Sequence, residues 1–379
     1  MTRIINNRDN VYVNLILQNE DPLRPSINPV FAATKEYNLD IPIIDHASEY
    51  YLQVESMTCS LTNIPVFIPD IQPNLPPYFN TDINKTIYSF TMSYNGQYSD
   101  ETFVTFIPQG INVHVAPLMP FQDRTSSYYQ IFTYTIIVTM LNNALEDCLT
   151  NLASKITLPV GSTAPYFYYD EPESKFCLVA QKDYYDILLA LPIEIYCNYQ
   201  LYEIINSIPF SYLPNQEGIS PAPGVTFQLI VSDLKNNLIK YPNLLDPTGD
   251  YYVMKQNESS IASISPLKSL YVSTNNIPVG PQISPLKPTE ENKAPNKVNK
   301  AKIILDIEPL ILGNLVTGRN YIQYRALTNE YIDLLSDNPI QQLDVSFYWR
   351  DRFGNSYQVY LNYNQPANIR FLFINKNIV

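Results

Sequence analysis

At least eight strand-like segments, only 10 glycines and a C-terminal run of long, strictly alternating strands predict a mainly β chain. Among β architectures these features point to a single jelly-roll β-sandwich, eight strands in two packed sheets with long connections. Here the sandwich carries an inserted mixed α/β region. An immunoglobulin-like sandwich competes, but it normally fills about 100 residues and leaves no room for the insertion. Apolar residues make up 45% of the 379, enough for a real core, so intrinsic disorder is not expected. The 31 tyrosines suit half-buried pleated surfaces, and the 31 prolines set turns between them.

Residues 1–45 combine a short apolar run, Val11 to Leu17, with turn chemistry from Asp21 to Pro29, and read as an N-terminal arm. Residues 46–119 read as the first part of the jelly roll. Tyr50, Leu52 and Val54 share one face of a strand, with Gln53 and Glu55 on the other. Tyr88, Phe90, Met92 and Tyr94 repeat that pattern against Ser89, Thr91 and Ser93. Asn95-Gly96 follows as a strong hairpin signal, then a strand from Phe103 to Ile107. Residues 120–215 read as the inserted α/β region. Ile137, Leu141, Leu145, Cys148 and Leu152 recur at spacings of three and four, the stripe of one long helix over 135–154. Tyr166–Tyr169 and Phe176–Val179 read as a hairpin, and Asp183–Ala190 and Tyr199–Ser207 as short helices stopped by Pro192 and Pro209. Residues 216–379 complete the jelly roll, with a Pro/Lys-rich loop at 277–302. Leu343, Val345, Phe347 and Trp349 alternate with Asp344, Ser346, Tyr348 and Arg350. Tyr357, Val359 and Leu361 resume after a turn, and Ile369, Phe371 and Phe373 form the last strand.

The formal charge of −12 argues against specific nucleic-acid binding, which needs a basic face, and against anionic membrane surfaces. No membrane partner is expected, because no stretch approaches the roughly 18 apolar residues of a span. The N-terminus has no apolar signal core. Cys59, Cys148, Cys177 and Cys197 form no CxxC pair and read as reduced, mostly buried thiols of a protein made in a reducing compartment.

Catalytic patterns are missing. His46 and His114 each lack a second ligand at metal spacing, so no metal and no cofactor are expected. Neither histidine sits in a nucleophile motif, and the glycines form no phosphate cradle. Glu146-Asp147, Asp170-Glu171 and Glu290-Glu291 are carboxylate pairs of the kind a glycosidase needs, but they read as solvated faces and turns. Lys293, Lys297, Lys300 and Lys302 read as a solvated loop. No catalytic residue is assigned, and an enzyme is not expected.

The run Asp344-Val-Ser-Phe-Tyr-Trp349-Arg-Asp351-Arg-Phe-Gly354-Asn-Ser-Tyr-Gln-Val-Tyr-Leu361, followed by Asn368-Ile-Arg-Phe-Leu-Phe-Ile374, resembles the closing hairpin and final strand of penton-type minor capsid proteins. That family belongs to virophages and polinton-like double-stranded DNA viruses. Tyr321-Ile-Gln-Tyr324, Gln256-Asn-Glu258 and Ser265-Pro-Leu fit the same order of blocks. So does the helix entry from Tyr128-Tyr129 to Asn142-Asn143-Ala144-Leu145. Ile264 stands where the family has tryptophan. The resemblance implies a single jelly roll that forms homopentamers at icosahedral fivefold vertices, among trimers of a double jelly-roll major capsid protein. It marks Asn143, Ala144, Leu145, Trp349, Asp351 and Gly354 as structural motif residues and assigns no subunit-interface residue. Displacement of a pentamer would open a route for the genome. The competing reading is a jelly-roll head that binds a carbohydrate or receptor on its outer surface.

Overall fold

The computed structural model describes residues 9–18, 30–75, 78–109, 122, 127–212, 225–232, 238–239, 250–280, 302–308, 321–326, 330–362 and 365–378. The chain divides into two compact units. One comprises Met1–Ile64, Pro266–Leu310 and Arg319–Val379; the other comprises Pro65–Ser265 with Ile311–Gly318.

The first unit is built on eight strands: β1 (Asn10–Leu17), β2 (Thr34–Asn38), β3 (Tyr50–Ser60), β4 (Leu267–Thr274), β5 (Lys302–Ile307), β6 (Tyr321–Arg325), β7 (Gln342–Asp351) and β8 (Ala367–Asn375). They form two antiparallel sheets, ordered β1-β8-β3-β6 and β2-β7-β4-β5. Strands adjacent in sequence lie mostly in opposite sheets, and this interleaving is the double Greek key of a jelly roll. Alternation puts Leu15, Leu17, Leu52, Ile369, Phe371 and Phe373 of one sheet, and Leu270, Val272, Phe347 and Trp349 of the other, in the buried core.

One bulge matters. Arg370 pairs with Ser56 and Phe371 with Val54, so Glu55 is an extra residue on β3. The bulge rephases the strand: Leu52 and Val54 are buried before it, Met57 and Cys59 after it. A strict period of two therefore holds only up to Glu55.

The expectation of an N-terminal arm is corrected for the described residues. β1 pairs with β8 from Asn10↔Ile374 to Leu17↔Ala367, and β2 pairs with β7. Both belong to the sandwich. Val11, Leu15 and Leu17 are buried, while Tyr12 and Ile16 stay about half exposed. Those two outward apolar residues blur the alternation in the sequence. Residues 281–300, most of the Pro/Lys-rich loop, lie outside the described residues, as does His114.

The second unit contains the predicted long helix, α1 (Tyr134–Lys155), whose buried stripe is Ile137, Met140, Leu141, Ala144, Leu145, Cys148 and Leu152. This stripe joins one core with Phe90, Met92 and Ile195 of a six-stranded sheet and Phe167, Phe176 and Leu178 of a four-stranded one. The six-stranded sheet includes Lys85–Tyr94, Thr102–Thr105, Glu194–Asn198, Val225–Leu229 and Phe210–Tyr212. At Asn95 (φ 48°) and Gly96 (φ 74°) the chain reverses in the expected two-residue hairpin, with Tyr94 facing Gln97.

This unit is wider than the insertion expected at 120–215. Lys85–Tyr94 and Val225–Leu229, read as jelly-roll strands, both pair with Glu194–Asn198, through Met92↔Ile195 and Ile195↔Leu229. Local alternation marks a strand but not the sheet it joins. The helix expected over Asp183–Ala190 is a single turn, Lys182–Tyr185, and the one over Tyr199–Ser207 runs Tyr199–Ile204. Among the described residues, no helix is long and apolar enough to cross a membrane.

Candidate functional site

β7 carries a buried carboxylate near each end, and each one fixes a loop. Asp344, 7% exposed, accepts from Thr274 Oγ1 (2.6 Å), Asn275 N (2.7 Å) and Asn276 N (2.7 Å). It thereby holds the exit of β4. Lys302 Nζ donates to the carbonyls of Asn275 (2.9 Å) and Ile277 (3.3 Å) of the same segment, so this member of the lysine cluster acts as a local clasp.

Asp351, 2% exposed, organises the turn at the other end. Its Oδ1 accepts from the amides of Phe353 (2.9 Å) and Asn355 (2.7 Å), and its Oδ2 from Asn355 Nδ2 (2.8 Å) and Tyr357 Oη (3.1 Å). A charged acceptor makes such bonds stronger than neutral ones and satisfies donors that burial would otherwise orphan. Gly354 takes φ 82°, in the left-handed region that the turn requires. Trp349 stacks on its cross-strand partner Tyr357 at 4.3 Å between ring centroids. The structure thus brings Trp349, Asp351 and Gly354 together in one hairpin. At its tip Phe353 is 61% exposed, presented on a backbone that Asp351 holds in place.

The other three motif residues lie on α1 in the second unit. Ala144 and Leu145 are buried in the helix stripe, and Asn143 is exposed. The residue that makes the polar contact is the neighbouring Asn142. Its Nδ2 donates to Phe167 O (3.0 Å) and its Oδ1 accepts from Phe167 N (2.6 Å). A side-chain amide there completes the backbone pairing of the edge strand Tyr166–Asp170 and locks helix to sheet.

Chemistry suited to catalysis is not gathered anywhere among the described residues. No cluster of three metal-ligating side chains occurs among them. Glu146 and Asp147 are exposed on α1. Asp170 is paired with Lys255 at 2.6 Å, and Glu173 bonds to Lys255 at 2.5 Å and Lys175 at 3.3 Å. The hydrogen bond from Lys255 holds the Glu173 carboxyl below its usual range, the opposite of what a general acid needs. His46 is exposed beside a single turn of helix. All four cysteines are buried and unpaired, and burial pushes the Cys59 thiol up to about 12, far from a reactive thiolate.

A sandwich of this strand order with a folded insertion between β3 and β4 belongs to the jelly-roll class used for shells and binding heads. Comparison with known proteins narrows the class. The family described as Sputnik minor capsid protein V18/19 matches residues 11–375, and the chain belongs to it. Two proteins of Sputnik virophage are similar to it. Uncharacterized protein V18 is 36% identical over 165 residues, 42% of this chain and 92% of V18. Structural protein V19 is 27% identical over 214 residues, 56% of this chain and 94% of V19. A chain in the cryo-EM structure of the Sputnik virophage matches with a TM-score of 0.78 at 31% identity, covering 98% of this chain and 99% of that one. The crystal structure of the mavirus penton protein matches in fold, with a TM-score of 0.60 at 16% identity over 97% of this chain and 99% of that one. The protein is a structural component of a virion capsid rather than an enzyme.

Proposed function

We propose that this chain is the vertex protein of an icosahedral capsid. Five copies ring the fivefold axis, contact neighbouring trimers of a double jelly-roll major capsid protein, and open a route for the genome when displaced. The observation that carries this reading is the single jelly roll itself, shared along nearly the full chain with a protein of the Sputnik virion and, in fold, with the mavirus penton protein. A closed ring needs a heterologous contact, in which one flank of a subunit meets a different flank of its neighbour. Phe353 suits such a contact: an exposed aromatic on a turn preorganised by Asp351 has few rotamers left to freeze on docking. Four buried, unpaired thiols support synthesis in a reducing host cytoplasm.

The solution mass of the purified chain tests this. A species of five times 43.5 kDa is expected, with Phe353→Ala shifting the population toward smaller species while the fold stays intact. A wild-type chain that stays monomeric at assembly concentrations sinks the proposal. A second reading, a glycan-binding head, draws on Tyr199, Phe210 and Tyr212, each 40% exposed or more around Phe227 in the second unit. Retention of the monomeric chain on a glycan array, lost in Tyr212→Ala, would favour it.

A further inference from the structure

In the second unit the segment Ile187-Leu-Leu-Ala-Leu-Pro192 joins the helical turn Lys182–Tyr185 to the strand Glu194–Asn198 and holds no charge. Leu188 is 84% exposed, Leu191 54% and Leu189 36%. Val160, on a second turn, is 97% exposed. Tyr184 ties the two turns together: its Oη donates to Val160 O at 2.7 Å, and its carbonyl accepts from Ile193 N at 2.7 Å. None of these four aliphatic side chains belongs to the buried core.

The tip is nevertheless firmly built. Asp186, 8% exposed, accepts from Leu188 N (3.0 Å) and from Tyr252 Oη (3.1 Å), and its carbonyl accepts from Leu189 N (2.9 Å). Ile187 N donates to Val231 O at 3.0 Å, and Pro192 has no N–H. A buried carboxylate thus holds a loop whose outward surface is hydrocarbon and whose amides at Ile187, Leu188 and Leu189 already have acceptors.

We infer that this tip inserts into the hydrocarbon edge of an electrically neutral lipid bilayer. Four properties favour a bilayer over a second copy of the chain or another protein. The tip is convex: side chains exposed to this degree would need a matching pocket on a protein partner, whereas fluid acyl chains close around any apolar knob. It is also small. The four side chains offer on the order of 450 Å², against roughly 800 Å² per partner in a standard protein interface. Its composition is aliphatic, without the Tyr, Trp and Arg that anchor protein contacts. Three of its five amides, those of Ile187, Leu188 and Leu189, are bonded internally, which lowers the cost of moving them into a medium that penalises unpaired N–H groups. The expectation of no membrane partner rests on charge and on the lack of a spanning segment. This contact uses neither, and with a chain charge of −12 it should avoid anionic headgroups.

Flotation of the full chain with phosphatidylcholine vesicles tests the inference. Wild type should rise with the vesicles at low and high salt alike, and Leu188→Asp should bind at least about tenfold less. Leu188→Trp should add emission that brominated phosphatidylcholine quenches, over a background from the buried Trp349 that it does not reach. Thermal unfolding should be unchanged in both variants, since position 188 is exposed. Wild-type protein left at the bottom of the gradient, or added emission in Leu188→Trp that the brominated lipid leaves unquenched, overturns the proposal. So does a Leu188→Asp variant that floats as wild type yet runs at a smaller mass, since the tip would then serve contacts between copies.

Discussion

Replacing Asp351 by alanine removes an acceptor that serves two backbone amides, one side-chain amide and one phenol at 2.7–3.1 Å. Asn355 N and Nδ2 lie in buried surroundings and would lose their partner, whereas Phe353 N is only partly buried and the Tyr357 hydroxyl, though buried, can rotate about its C–O bond. Two orphaned buried donors and the loss of two further charge-assisted bonds should together cost about 4 kcal/mol. Asparagine keeps one carbonyl for the two amides but sets its own NH2 against Asn355 Nδ2, for a loss of about 2 kcal/mol. The chain's single tryptophan sits two residues away, buried and stacked on Tyr357, so its emission reports unfolding of this unit without contribution from the other. With a urea dependence of about 2 kcal/mol per molar, the Trp349 midpoint should fall by about 2 M for Asp351→Ala and about 1 M for Asp351→Asn. An alanine variant that melts at the wild-type midpoint would refute the account of this carboxylate as the organiser of the turn.

Three further outcomes follow from described contacts. Asn142→Ala should destabilise the second unit by about 2 kcal/mol and speed hydrogen exchange at the Phe167 amide, which loses its 2.6 Å acceptor; unchanged protection there would contradict the clamp. Gly354→Ala should cost about 1 kcal/mol purely through its backbone, since a Cβ there meets nothing within 4 Å, and Gly354→Asn should recover part of that loss in the same urea assay. Stability should fall as pH rises above 9. Burial raises Cys59 from 9.0, and Tyr129 and Tyr169 from 10.0, each to about 12. The unfolded chain releases these protons first, so the stabilisation is complete below the unfolded values and is lost as pH climbs toward 12. A urea midpoint that holds steady across that window would count against it.

Much of the sandwich was legible because β7 and β8 alternate without interruption, and in the second unit the Asn95-Gly96 turn was legible because it needs only its two residues. The stripe of α1 was legible for the same reason: a local period reports a local face. Allegiance of strands was not. Ser89, Thr91 and Ser93 alternate as cleanly as any sandwich strand, yet their strand pairs with residues about a hundred positions away, across Met92↔Ile195. Asp344 read as the solvent face of β7. It is buried because Thr274, Asn275 and Asn276 bring three donors to it, and that run of small polar residues after β4 was the available signal. The apolar residues Ile187 to Ala190 read as the end of a helix stopped by Pro192. Asp186 instead caps Leu188 in a side-chain turn, a role open to any Asp placed two residues before an amide.

The position of β8 between β1 and β3 has a consequence for synthesis. Asn10 waits for Ile374 and Tyr50 for Asn375, so both early strands leave the ribosome with the strand that separates them still untranslated. The stretch 65–265 is continuous and can begin to condense as it emerges, in keeping with the habit of domains to fold in order of appearance. The host sandwich therefore passes through a stage with its earliest ribbons unpaired while the passenger has already matured, and whatever shields those ribbons in the cell acts before Ala367–Asn375 is added.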